Sequence, residues 1–206
     1  MRHYSLFDQI IGRLDHVIQA CSCSQPEEIT QFEDNLSDEE RNRSASLMRI
    51  NHSGEVCAQA LYLGQALVAR DASIATQLYQ AAKEEKDHLR WCRTRILELK
   101  GRTSYLNPLF AMGSLGIGVL AGLKNDAFSL GFLAETEHQV VEHLEGHLKK
   151  ISPNDTKSIA IIEKMKEEES QHATHAIAQG GTPLPQPIRL LMRLASKVMT
   201  TTTKFI

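Results

Sequence analysis

One spacing occurs twice in this chain and restricts its fold more than any other feature. Glu55 stands thirty residues before Glu85 in Glu85-Lys86-Asp87-His88, and Glu137 stands thirty-two before Glu169 in Glu169-Ser170-Gln171-His172. In a helix, residues three apart lie about 60° apart around the axis and about 4.5 Å along it, so each Glu-x-x-His aims a carboxylate and an imidazole at one point. Four Glu and two His then converge, the ligand set with which four-helix bundles hold two iron or manganese ions: one Glu from each of two helices and Glu-x-x-His from each of the other two.

The neighbours of these residues decide between a solvated face and a buried site. Leu78, Ala81, Cys92, Ile96 and Leu99 flank Glu85 and His88 at helical spacing, and Ile162, Met165, Ala173 and Ala176 flank Glu169 and His172. Leu130, Leu133, Val140, Val141, Leu144 and Leu148 do the same for Glu137, as do Met48, Ala58 and Tyr62 for Glu55. The carboxylates therefore ride on apolar stripes. Burying one without a partner costs several kcal/mol, so four facing one core require cations to neutralise them.

Length suits a single all-α domain of 206 residues, and a net charge of −2 gives no argument for nucleic acid. Helical patterns run from about Ser37, where Ser37-Asp38-Glu39-Glu40 reads as a capping box, to Arg70; from Ser73 to Lys100, stopping at Gly101; from Asp126 to Lys150; and from Asn154 to Gln179, ended by Gly180-Gly181. Two hairpins with short turns, joined by the long stretch from Gly101 to Asn125, give a ferritin-like four-helix bundle with one long crossover. The similar offsets between halves suggest a diverged duplication of one metal-binding hairpin.

That crossover carries no charge from Thr103 to Leu123, twenty-one residues. Asn107-Pro108 and four glycines within ten positions weaken a simple spanning helix, and two hairpins that must meet at one metal site cannot have a bilayer between them. The stretch reads as membrane-dipping or as a hydrophobic lid. After Thr182-Pro183-Leu184-Pro185-Gln186-Pro187, residues Ile188 to Lys197 place Arg189, Arg193 and Lys197 at i+4 spacing, with Leu191, Leu194, Ala195 and Val198 on other faces: a basic amphipathic helix that either docks on the bundle or lies against anionic lipid. Residues 1–35 form a separate amphipathic segment, Leu6 to Ile18, ahead of the domain at 36–206. With no secretory signal visible the protein is expected to stay in the cytoplasm, and the uncharged crossover together with the basic C-terminal helix is expected to make it a peripheral membrane protein on the inner face of the cell membrane.

Cys57 and Cys92 read as small core residues, and Cys21-Ser22-Cys23 as a loop. Among the histidines near Glu137, His143 is the candidate for an outer partner of the site. No Gly-x-Gly-x-x-Gly follows a strand, so no nicotinamide or flavin domain is built in, and electrons must come from an external reductant or from the substrate.

The segments Met48 to Glu55, Glu84-Glu85-Lys86-Asp87-His88, Gly131 to Glu137 and Glu168-Glu169-Ser170-Gln171-His172, with the uncharged crossover between, resemble the Coq7 family of demethoxyubiquinone hydroxylases from about Ser37 onward. The resemblance implies two irons, one held by Glu55, Glu85 and His88, the other by Glu137, Glu169 and His172, with Glu85 and Glu169 bridging. It implies a monooxygenase that uses O₂ to hydroxylate the ring of a polyprenyl quinol, 2-polyprenyl-3-methyl-6-methoxy-1,4-benzoquinol, in ubiquinone biosynthesis. Leu144 departs from the pattern, standing where eukaryotic members are expected to have Tyr. Accessory ubiquinone-biosynthesis proteins and self-association into a homo-oligomer are compatible with this reading. Three other classes compete: a ferritin-like ferroxidase or iron-storage protein, a di-iron hydroxylase of another substrate such as a tRNA base, and a non-enzymatic lipid-binding scaffold. The first has no use for the uncharged crossover, the second expects a basic face, and the third leaves six ligand positions unexplained.

Overall fold

A computed structural model of the chain describes residues 35–205; the N-terminal amphipathic segment, apart from Asn35, and with it Cys21 and Cys23, lies outside the described residues. The described chain is all-α, with six helices: α1 Asp38–Val68, α2 Ala72–Glu98, α3 Asn107–Lys124, α4 Asp126–Leu148, α5 Thr156–Ala178 and α6 Gln186–Phe205. Helices α1 and α2 form one hairpin and α4 and α5 the other. The hairpins pack α1 on α4 and α2 on α5, which is the ferritin-like arrangement.

Each bundle helix starts on a side-chain cap. Ser37 and Glu40 make the expected capping box on α1. Asp71 accepts from Ser73 N at 2.7 Å, Asn125 from Phe128 N at 2.8 Å, and Asp155 from Ser158 N at 3.0 Å. At the other ends, Gly180 takes φ +99° and Gly181 N bonds back to Ala176 O, as the paired glycines predict. The end of α2 differs: Lys100, not Gly101, occupies the left-handed position at φ 59°. Gly101 instead sits where a Cβ would come 3.0 Å from that of Ala45 and 3.2 Å from Ile96.

Polar clamps fix the helices against one another. Gln65 reaches from α1 to Ser129 O at 2.7 Å and Ser129 Oγ at 2.9 Å on α4, and Gln59 reaches Ala82 O on α2 at 3.0 Å. At the far end, the buried Arg95 of α2 joins Ser158 at 2.8 Å, Asp155 at 2.6 Å and Glu98 at 3.0 Å, tying α2 to the cap of α5. Pairing and hydrogen bonding are what make a buried guanidinium tolerable.

The uncharged crossover is a helix, α3, laid along α1. Pro108 falls in its first turn, where the missing N–H costs nothing. Two of its four glycines, Gly118 and Gly122, form the contact surface with α1, while Gly113 and Gly116 face open space. A Cβ on Gly118 would lie 2.1 Å from Leu61 O, and one on Gly64 would lie 2.2 Å from Leu115 O, so the two backbones touch. Asn107 anchors the start of α3, accepting from Ser53 Oγ at 2.7 Å and lying 3.2 Å from His52 Nδ1. The outer side of the crossover leaves Tyr105, Leu109, Met112, Ile117, Leu120 and Leu123 exposed. Among the described residues no helix is long and apolar enough to cross a membrane.

Helix α6 extends well beyond the segment expected from charge spacing, and two of its arginines are turned to the bundle instead of being left free for anionic lipid. Arg189 pairs with the buried Glu135 at 2.8 Å and Arg193 with Glu142 at 2.8 Å, both on α4. The basic side thus faces the bundle, while Leu190, Leu191, Leu194 and Val198 face outward. Ile188 and Met192 pack on the core shared by α1, α4 and α3.

Candidate metal centre

The four bundle helices deliver the six expected residues to one interior point. Glu55, Glu85, His88, Glu137 and Glu169 are buried, and His172 is nearly so. Glu55, Glu85, His88 and Glu169 form one group, and Glu85, Glu137, Glu169 and His172 a second; the ligand atoms within each lie within 4.8 Å of one another, close enough to hold a metal ion. Glu85 and Glu169 belong to both groups. Each gives one oxygen to each imidazole: His88 Nδ1 lies 3.0 Å from Glu85 Oε2 and 3.0 Å from Glu169 Oε1, and His172 Nδ1 lies 3.6 Å from Glu85 Oε1 and 3.2 Å from Glu169 Oε2. Glu55 Oε2 stands 3.8 Å from His88 Nδ1 and Glu137 Oε1 stands 3.8 Å from His172 Nδ1, one terminal carboxylate per group. The two rings are stacked with centroids 6.4 Å apart.

Electrostatics show what this cluster demands. Burial pushes the carboxyls of Glu55, Glu85 and Glu137 above the ordinary carboxylate range, and the Glu169 charge pushes them further. Burial acts on Glu169 in the same sense, but the imidazoles of His172 and His88 beside it outweigh burial and hold that carboxyl at about 2. Burial alone would strip the imidazoles of their protons; the surrounding carboxylates reverse this and raise both, His172 to about 9. The site is a sink for positive charge.

A test of metal fit lies in the oxygens left over. Glu55 Oε2, Glu85 Oε1, Glu137 Oε2 and Glu169 Oε1 are all buried and meet no donor in hydrogen-bonding geometry. Buried acceptors without partners are rare and each costs free energy, yet every one of the four carboxylates has one. Hard carboxylate oxygens with one imidazole per group suit iron or manganese.

Sequence reading missed three contributors. Tyr62, expected only as an apolar neighbour of Glu55, is buried and donates its hydroxyl to Glu137 in a short hydrogen bond. It lies seven residues after Glu55, about two turns along the same face, and the equivalent position seven after Glu137 is Leu144, buried in the core. The other two are Glu84 and Glu168, each one residue before a shared carboxylate. His88 Nε2 lies 2.8 Å from Glu168 and His172 Nε2 lies 2.9 Å from Glu84. The doubled Glu-Glu-x-x-His was their only signal.

His143 is not an outer partner of the centre. Its ring packs on that of His147 with centroids 4.0 Å apart, and burial keeps both neutral, His143 at about 4 and His147 at about 3. Six residues is about 240° around a helix, which turns His143 away from the face of Glu137. Cys92 is a buried thiol beside Met165, as expected, but Cys57 is only half-buried, between α1 and α3.

A helical bundle of two hairpins with a buried carboxylate and histidine cluster at their junction defines the class: a ferritin-like protein with a site for metal. Within it, the chain belongs to the family described as ubiquinone biosynthesis protein COQ7, whose profile matches residues 42–203. A protein of Nitrosospira multiformis is 50% identical over 204 residues, covering 97% of this chain and 98% of its own. One of Nitrosococcus oceani is 56% identical over 171 residues, 83% of this chain and 80% of its own, and one of Ralstonia pickettii 55% over 166 residues, 81% and 76%. All three are named 3-demethoxyubiquinol 3-hydroxylase. The likeness to the first reaches into the N-terminal segment, beyond the start near Ser37 that the motifs alone suggest.

Proposed function

We infer that this chain has the activity for which its relatives are named: an O₂-dependent monooxygenase that hydroxylates the ring of a polyprenyl demethoxyubiquinol in ubiquinone biosynthesis. The observation that carries the reading is the set of four buried carboxylates, each with an unpartnered oxygen, arranged around two imidazoles in a chain of this family. Glu55, Glu85 and His88 would hold one iron and Glu137, Glu169 and His172 the other, with Glu85 and Glu169 shared. When bound, two irons supply the chemistry that reduces O₂ and delivers oxygen to the ring. In balance, a ring C–H, O₂, two electrons and two protons give C–OH and water, the electrons coming from an external reductant.

The chain's own residues set the conditions for this. Glu85 and Glu169 offer one oxygen to each side and would be shared between the two metals. The Tyr62 hydroxyl orients Glu137. Met48, Cys92, Leu144, Ile162 and Met165, all buried, belong to the apolar core on the Glu55 side and help keep water out. Polyprenyl quinol is nearly insoluble in water, and the exposed apolar side chains of α3 and α6 give the protein a means to meet it: peripheral contact with the cytoplasmic face of a membrane.

The test supplies iron-loaded protein with 3-demethoxyubiquinol, a chemical reductant and isotopically labelled O₂. The expected product carries one labelled hydroxyl, and chelating the iron abolishes its formation until iron is restored. Turnover that survives complete metal removal, or a product without labelled oxygen, overturns the reading.

A further inference from the structure

Each site imidazole is gripped at its far nitrogen by a carboxylate from the opposite hairpin. On α5, Glu168 Oε2 lies 2.8 Å from Nε2 of His88 on α2; on α2, Glu84 Oε2 lies 2.9 Å from Nε2 of His172 on α5. In both cases Nδ1 faces the shared carboxylates of the interior. We propose that Glu84 and Glu168 are positioning residues of the metal centre, exchanged between the hairpins, each fixing the ring and the tautomer of the other half's histidine. The inference rests on reading the buried cluster as a two-metal centre.

A neutral imidazole carries its proton on one nitrogen, and the other presents a lone pair. An acceptor at Nε2 keeps the proton there and leaves the Nδ1 lone pair aimed inward, where a metal needs it. Carboxylates that accept the second N–H of a metal-bound histidine also raise its basicity as a ligand. The exchange adds something a local partner would not. Glu84 and His88 share a helix, but each bonds across the α2–α5 contact, so both rings are set only when the hairpins have docked.

The two supports are unlike. The second oxygen of Glu84 accepts from the Gln80 amide at 2.7 Å, whereas that of Glu168 faces the Lys164 ammonium at 3.8 Å, and Lys164 also lies over the Trp91 ring, 4.6 Å from its centroid. Trp91 in turn packs on His88 with centroids 5.3 Å apart. The two supports therefore differ in their own surroundings, one tied to an amide and the other beside an exposed ammonium.

Glu84→Ala, Glu168→Ala and the two Gln variants are to be titrated anaerobically with ferrous ion against a competing chelator, and then loaded with iron-57 for Mössbauer spectroscopy. Each Ala variant is expected to lose about 10–100-fold in affinity at one of its two sites and to shift one of two quadrupole doublets, a different one in each variant. The Gln variants, which keep an acceptor without the charge, are expected between Ala and wild type. A packing role alone would lower thermal stability and leave both doublets in place. If wild-type protein binds two irons and the variants match it in affinity and spectrum, the inference fails and the two-metal reading stands; if wild-type protein binds none, the two-metal reading itself fails. Should an Ala variant not fold, its Gln counterpart decides: one shifted doublet supports the role, and a spectrum identical to wild type overturns it.

Discussion

The inside of this bundle and its outer flank invert the usual distribution of polarity. At the junction of the hairpins four carboxylates are buried to the exclusion of solvent, while on α3 and α6 nine large apolar side chains stand exposed. Each region is expensive in water for a protein alone, and the two demand different remedies. The interior needs cations, since each of its carboxylates has an unpartnered oxygen and three of them, Glu55, Glu85 and Glu137, have raised proton affinities. The flank needs an apolar neighbour. A hydroxylase of an apolar quinol that holds metal would use both, and neither region alone would point to it.

The comparison can be broken first from the inside. Glu85→Ala or Glu169→Ala removes a carboxylate shared by both groups, and each is expected to leave less than one iron per chain and to lower turnover by more than the roughly 100-fold cost of an outer partner. Circular dichroism should show the helices intact, because deleting a buried charge relieves the core. Full iron and turnover in either variant would remove the basis for the site.

From the outside, the exposed leucines rather than the arginines carry the expected membrane contact. Replacing Leu190, Leu191 and Leu194 together by Ser should weaken vesicle binding by about 100-fold, on the scale of about 1.5–3 kcal/mol for each fully buried leucine reduced for partial insertion. Thermal stability and iron content should hardly change, since these side chains touch little of the bundle. Charge reversal at Arg189 should do the opposite, costing stability by stranding Glu135 while sparing the vesicles. Unchanged vesicle binding in the triple Ser variant would leave α6 as a packing element only.

Acid separates the charged interior from three neutral bases buried elsewhere. His52, His143 and His147 are depressed by burial to about 4, 4 and 3. A folded state that resists protons its unfolded state accepts near pH 6.5 is fully stabilised above that value and loses the contribution as pH falls toward 4. Melting temperature is therefore expected to fall steadily from pH 7 to pH 5, and less steeply in His147→Gln. The smallest effect lies at the end of α2, where Lys100→Gly should add up to about 1 kcal/mol in chemical denaturation by relieving the positive φ.

The site was the most legible part of the chain because covalent spacing alone puts Glu85 with His88 and Glu169 with His172 on one helix face. Four long helices, the Ser37 capping box and the stop at Gly180-Gly181 followed from periodicity and punctuation, whereas the caps at Asp71, Asn125 and Asp155 did not. What stayed hidden depended on contacts distant in sequence. Tyr62 meets Glu137 across 75 positions, and Glu168 meets His88 across 80. The inward side of α6 was set by Glu135 and Glu142, residues of another helix whose register with Arg189 and Arg193 cannot be read from either alone. In α3 the glycines weakened the case for a spanning helix, but their letter could not say which of them pack; only the distance from Gly118 to Leu61 shows that the backbones touch.

The seam between α1 and α3 also has a mechanical meaning. With backbone against backbone at Gly64 and Gly118, and Asn107 wedged between His52 and Ser53, the crossover has no slack in which to swing on its own. It behaves as a splint bolted to the helix that bears Glu55. A force on the exposed leucines of α3 is therefore transmitted to α1 rather than absorbed by a hinge, and any passage that opens toward the centre must do so by turning side chains, with the helices as its fixed frame.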